Sequence, residues 1–239
     1  DYFNKNSILK YLSHKGNPYE KLDLHRYKTL SDQDFKKVKA VIWDKHSSYL
    51  DNIVQSHNKY FEKTFENKYN DIFCVNRFFE RRGYLFYSRP YEHIIHRKKT
   101  LKSLAMLKNK YKIITSTSNK DDYLKQLRHS KIIIGCWGYG EWVHLDGSAM
   151  MLGAILVKPD SDYILKQPDI YQGHKTYVPV NRDMSNLEEV LDEVLQNYDK
   201  YKQMRIDNFK LIREFDVEKT IKYFIEQSKD SIKNFYRRN

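Results

Sequence analysis

Two cysteines in 239 residues cannot build a disulfide framework. Cys74 and Cys136 each stand in or just after an apolar run, so they read as buried free thiols of a reducing compartment such as cytoplasm. Two lone cysteines do not make a metal site, and His93 and His96 have no third ligand at a suitable spacing. No stretch reaches the ~18 apolar residues of a membrane span, and no signal-peptide core is visible. There are only 8 glycines and 5 prolines, with no internal repeat, low-complexity tract or obvious interdomain linker. A P-loop, a GxSxG elbow and an HExxH helix are all missing, which excludes the simplest readings as an NTPase, a serine hydrolase or a zinc protease.

What is present is an ordinary globular composition, 40% hydrophobic and 31% charged. The 20 tyrosines suit cores, interfaces and sugar platforms alike and decide nothing. A net charge of +12 points to an anionic partner or simply to solubility. The stretch from Arg77 to Lys112 is strongly basic, opposed only by Glu80 and Glu92. Nucleic acid, an anionic membrane face or a diphosphate would each suit it, and a solvated helix face accounts for most of its lysines.

The organising stretch is Ser130 to Asp160. Lys131 to Cys136 is apolar and β-branched without alternation, as in a parallel strand covered on both faces. Gly138 and Gly140 free the backbone to turn and to approach a ligand closely. Leu145 to Leu152 has helical character, Gly153 suits the residue that ends a helix, and Ala154 to Val157 is again a strand. Upstream, the pattern predicts a strand at Lys37 to Asp44, a helix over Tyr49 to Phe65 and a strand at Asp71 to Asn76. A long basic, aromatic loop from Arg77 to Tyr91 follows, then a helix over His96 to Leu107, a strand at Lys112 to Thr115 and a short helix over Asp121 to Leu127. Downstream come a strand at Thr176 to Val180 and helices over Leu187 to Leu195, Tyr198 to Ile212 and Val217 to Ser228.

Two ordered motifs carry a resemblance. Gly138-Tyr139-Gly140-Glu141 precedes a helix and then GAILVKPD (Gly153 to Asp160), and PDIYQGHKTYVPVNRDMSNLEEVL spans Pro168 to Leu191. Together they resemble the donor-binding half of GT-B glycosyltransferases of the exostosin-like and group 1 kind, from bacteria and large DNA viruses. The likeness covers roughly residues 70 to 228. It implies an α/β, GT-B-like fold: a reduced N-terminal acceptor-side lobe (1–70), a Rossmann-type nucleotide-sugar domain (71–215) and a C-terminal helix (216–239) returning to the first lobe. It further implies metal-independent transfer from a nucleotide sugar, with UDP-xylose the first candidate, to a hydroxyl of a glycan or glycoconjugate. Neither a cofactor nor nucleic acid is expected. The rival readings are a non-catalytic nucleotide- or glycan-binding module of the same fold, and a basic nucleic-acid-binding protein.

A ribose diol is best held by a carboxylate, since each hydroxyl can donate to one oxygen. Asp146 is the candidate for that task, or else an acid placed at a helix start for the macrodipole. By resemblance Glu141 would bond donor hydroxyls. Members of the resembled family often carry Arg where Leu145 stands and Glu where Ser148 stands; Ser148 can hydrogen-bond but cannot clamp a diol. For the diphosphate, Arg97 at the expected helix start comes first, then Lys98 and Arg77, with the amides of Tyr139 and Gly140 adding donors. Trp137, Tyr139 and Trp142 could stack on base or sugar, or pack as core or rim. An inverting transfer also needs a general base, for which Asp44 and His46 past the first strand are the candidates.

Overall fold

The computed structural model describes residues 53–75, 92–136, 143–162 and 170–214, together with 222, 225, 226 and 229. The strand expected at Lys37 to Asp44, the loop from Arg77 to Tyr91 and most of the last expected helix lie outside the described residues.

Five parallel strands form one sheet in the order β2-β1-β3-β4-β5. They are β1 (Asn70–Phe73), β2 (Ile113–Ile114), β3 (Ser130–Ile134), β4 (Ile155–Pro159) and β5 (Val178–Val180). The missing alternation in β3 and β4 has the expected cause, because every residue of Ile132–Ile134 and Ile155–Val157 is fully buried between two helical layers. Register aligns Ile113, Ile72, Ile132 and Ile155 across four strands on one face. Full burial of Ile72, Ile132 and Ile155 contributes roughly 1.5–3 kcal/mol each, and Ile113 on the edge strand is half-buried.

The helices are α1 (Phe61–Thr64), α2 (Glu92–Leu107), α3 (Lys120–Arg128), α4 (His144–Met151), α5 (Leu187–Gln196) and α6 (Lys202–Arg213). α2 and α5 cover one face of the sheet; α3, α4, α6 and the helical segment 53–64 cover the other. The result is an α/β, Rossmann-like body, a five-stranded parallel sheet flanked by helices. In α5 the apolar residues Leu187, Leu191 and Val194 recur at helical spacing and are buried. Residues 53–69, placed by the sequence with the first lobe, pack onto this body: Phe61 stacks on Phe209 of α6 with ring centroids 3.6 Å apart. Among the described residues no helix is long and apolar enough to cross a membrane.

The amino edge of the sheet is fastened by cations. Gly153 ends α4 at φ +61, with the Ala154 N–H bonded to Ala149 O and the Gly153 N–H to Met150 O. Arg205 of α6, buried among the rings of Phe65 and Tyr198, donates to Gly153 O at 2.7 Å and Phe65 O at 2.5 Å. Lys68 donates to Arg128 O and Leu152 O, the C-terminal ends of α3 and α4. Burial pushes its pKa down to about 7, with Arg205 adding to the effect. Cations at helix C-termini also answer the macrodipole.

Candidate functional site

The chain leaves β1 for α2 on one face and β3 for α4 on the opposite face, while β1 and β3 are neighbours in the sheet. This is a topological switch point, the place where open α/β sheets bind ligands, beyond the carboxyl ends of the two strands. The strands run out at Cys74–Val75 and Gly135–Cys136, both cysteines being buried and free. The connections that follow carry Arg77 and the run Tyr139, Gly140 and Glu141; these residues, with Asp44, His46, Trp137 and Trp142, lie outside the described residues.

Asp146 is the third residue of α4 and is completely buried. Its Oδ2 accepts from Lys158 Nζ at 2.6 Å and, more weakly, from the Val143 N–H at 3.4 Å. Lys158 belongs to β4 and is itself fully buried, with its ammonium 5.0 Å from the Tyr171 ring centre and 6.0 Å from that of Tyr177. Gly135 at the end of β3 makes room for the pair, since a Cβ there would collide with Asp146 Oδ1 and approach Lys158 Cβ to 3.3 Å. Burial raises the Asp146 pKa, with Lys158 pulling it back. The same environment holds the Tyr171 hydroxyl protonated, first through burial and then through the Asp146 charge. Asp146 is therefore committed to Lys158 and to the start of α4, and its other oxygen, Oδ1, faces Gly135 rather than solvent. Ser148 is likewise buried, its hydroxyl donating to His144 O one turn back at 3.2 Å.

Arg97 and Lys98 fare differently from each other. The helix starts at or before Glu92, so Arg97 lies in its second turn and not at its N-terminus, which corrects the sequence expectation. Ser88 and Pro90 stand just ahead of Glu92 and are the start signals that the sequence reading passed over in favour of helical spacing. Thr100 on α2 is buried against the end of β3, where Cys136 Sγ lies 3.5 Å from its hydroxyl. Arg97, three residues earlier, is half-buried about one turn closer to the carboxyl edge and about 60° around the helix from Thr100. Lys98 points about 160° away from Thr100 and is exposed, so it does not reach the switch point.

Three features were missed by the sequence reading. Lys158 is one, since a lysine closing an apolar run reads as a solvent-exposed strand end. The second is an Asp-x-Asp spacing, Asp160-Ser161-Asp162, at the carboxyl end of β4. Its carboxylates are engaged locally: Asp162 accepts from the Tyr177 hydroxyl at 2.9 Å and from the Gly173 N–H, while Asp160 accepts from the Asp162 N–H at 2.9 Å. Among the described residues no three His, Cys, Asp or Glu side chains are grouped to hold a metal. The third is His57, buried behind the start of α4. Burial, then the charges of Arg128 and His144, lower its pKa to about 4. No protein-family model matches the chain, and no curated protein is significantly similar to it.

Proposed function

We propose that the chain binds a nucleotide sugar across the carboxyl ends of β1 and β3 and transfers the sugar to a hydroxyl of a glycan or glycoconjugate, as a GT-B-like glycosyltransferase with a reduced first lobe. The observation that carries the reading is the switch point itself. It lies at the carboxyl ends of β3 and β1, the strands that Gly138 to Glu141 and the basic stretch from Arg77 follow in the sequence. In this reading Glu141 accepts donor hydroxyls, while Arg97 and Arg77 supply positive charge to the diphosphate as the leaving group forms. Asp146 and Lys158 act from behind, fixing where α4 begins and so where the motif loop ends. The acceptor-side base, Asp44 or His46, belongs to the same proposal.

The buried state of Asp146 and Ser148 also favours a second reading, a nucleotide- or glycan-binding module of this fold without turnover. Thermal unfolding against a panel of nucleotides and nucleotide sugars, in EDTA and then with Mn²⁺, tests what the two readings share. A ligand at a hundred times its Kd adds roughly 2.7 kcal/mol. Stabilisation by one nucleotide sugar in EDTA, lost in Glu141→Gln and Arg97→Met, supports the site; release of free nucleotide on adding acceptor glycans then separates enzyme from binder. If no nucleotide sugar stabilises the chain while oligonucleotides do so at low salt, the glycosyltransferase reading fails.

A further inference from the structure

Two helices of opposite charge lie together on one face of the molecule. On α2, Lys98, Lys99 and Lys102 are exposed, and Met106, one turn further, is 73% exposed. At about 100° per residue Lys98, Lys102 and Met106 fall within roughly 80° of arc, opposite the buried Thr100, Leu104 and Leu107. On α5 the buried residues are Leu187, Leu191 and Val194, and the outward face carries Glu188, Glu189 and Glu193. The helices pack against each other, and an ion pair between Lys110 and Asp192, 2.6 Å long, ties the end of α2 to α5. Lys98, Lys102, Glu188 and Glu189 join no ion pair among the described residues. Lys99 only contributes to holding the Asp183 carboxyl low, behind the stronger effect of Ser185.

The geometry points to a second copy of this chain as the occupant of this face. A two-fold axis running between α2 and α5 lays the lysine stripe of one copy on the glutamate stripe of the other, twice over. That is the self-complementarity an isologous contact requires. Met106 then meets the partner toward the C-terminal end of α2. An anionic bilayer or a nucleic acid fits less well, because Glu188, Glu189 and Glu193 would face the same negative surface. The area is modest. α2 is about 24 Å long at 1.5 Å per residue and the neighbouring helix adds 8–10 Å of width, which gives on the order of 500 Å² per copy. Standard interfaces bury about 800 Å² per partner, so association should be weak, micromolar or above, and sensitive to salt.

Sedimentation equilibrium of the full chain from about 5 to 500 µM, at 50 mM and 500 mM salt, tests this. The mass should rise towards that of a dimer at low salt, with at least a tenfold loss of affinity at high salt. K98E/K99E/K102E should be monomeric, although it lowers the net positive charge and would by that effect alone associate more readily. E188K/E189K should also be monomeric, and an equimolar mixture of the two variants should recover a heterodimer, since each then carries two stripes of one sign. The proposal is overturned if the unmodified chain stays monomeric at 500 µM in 50 mM salt, a measurement that needs no variant to fold. Association unchanged by both variants, or a mixture of folded variants that stays monomeric, overturns it as well.

Discussion

Lys158→Met should destabilise the chain by about 3–5 kcal/mol, the usual cost of leaving a buried charge without its partner. Asp146 and Lys158 are both at 0% exposure, the contact is 2.6 Å, and among the described residues no other cation is hydrogen-bonded to the carboxylate. Methionine keeps most of the apolar stem that packs beneath Tyr171 and Tyr177, so the loss measures charge more than volume. Asp146→Asn should also destabilise, because it removes the carboxylate charge 2.6 Å from the buried ammonium. The double variant D146N/K158M should recover at least about 2 kcal/mol relative to the sum of the singles, since no uncompensated charge remains. Urea unfolding at pH 7, followed by tryptophan fluorescence and far-UV circular dichroism, gives the cycle directly; for a domain of this size each kcal/mol is also roughly 2–4 °C in Tm. Single variants that each cost under about 1 kcal/mol, or a double variant equal to their sum, would refute the description of the two as a coupled pair. The double variant carries a second reading. If Asp146 only positions α4, D146N/K158M keeps nucleotide-sugar stabilisation once its lower starting Tm is allowed for, and loss of binding would show that the carboxylate touches ligand.

Acid should weaken the fold through His57. Its folded pKa of about 4 lies below the ordinary 6.5, so between those values the unfolded chain binds the extra proton and stability falls as pH falls. The full window corresponds to about 3 kcal/mol, and His57→Leu should flatten that part of a urea-midpoint profile taken from pH 7.5 to 4. A profile as steep in the variant as in the original would remove His57 from the account. Gly153→Ala combines positive φ with a Cβ 2.6 Å from Phe65 Cδ2 and 2.8 Å from Phe61 Cε2, so a loss of about 2 kcal/mol or more is expected by chemical denaturation. Arg205→Met strands the carbonyls of Gly153 and Phe65 and should cost on the order of 2–4 kcal/mol, with Arg205→Lys recovering only part because one ammonium lacks the two-armed fork. Equal stability of the Lys and Met variants would deny that the fork matters.

The fold was legible where local sequence suffices to decide it. Ile132–Ile134 and Ile155–Val157 announce strands covered on both sides because nothing polar interrupts them, and Gly153 announces a helix end because only glycine takes φ +61 there without strain. The start of α2 was misplaced by at least four residues, because the apolar spacing of Leu101, Leu104 and Leu107 was weighed above the start signal of Ser88 and Pro90 just ahead of Glu92. Asp146 was picked out correctly as the acid at the start of α4, but its ligand role rested on a sequence that cannot show what faces it. Its partner, Lys158, lies 12 residues away on a strand, and the space for both depends on Gly135 and on tyrosines at 171 and 177. Such a cluster is assembled by topology, and no window of residues contains it.

The same topology is why the proposed site lies at one edge of this sheet and not the other. Helices in a parallel α/β body run against the strands, so their C-termini gather at the amino edge and their N-termini at the carboxyl edge. At the amino edge the negative poles are already answered: Lys68 takes the last carbonyls of α3 and α4, and Arg205 takes Gly153 O. At the carboxyl edge, among the described residues, the acid in the first turn of α4 is Asp146, and its charge is matched by Lys158. Arg97 stands half-buried on the flank of α2 toward the same edge. An anion entering between β1 and β3 would meet helix N-termini and guanidinium together, whereas one approaching the opposite edge would meet cations whose hydrogen bonds are already spent on backbone carbonyls.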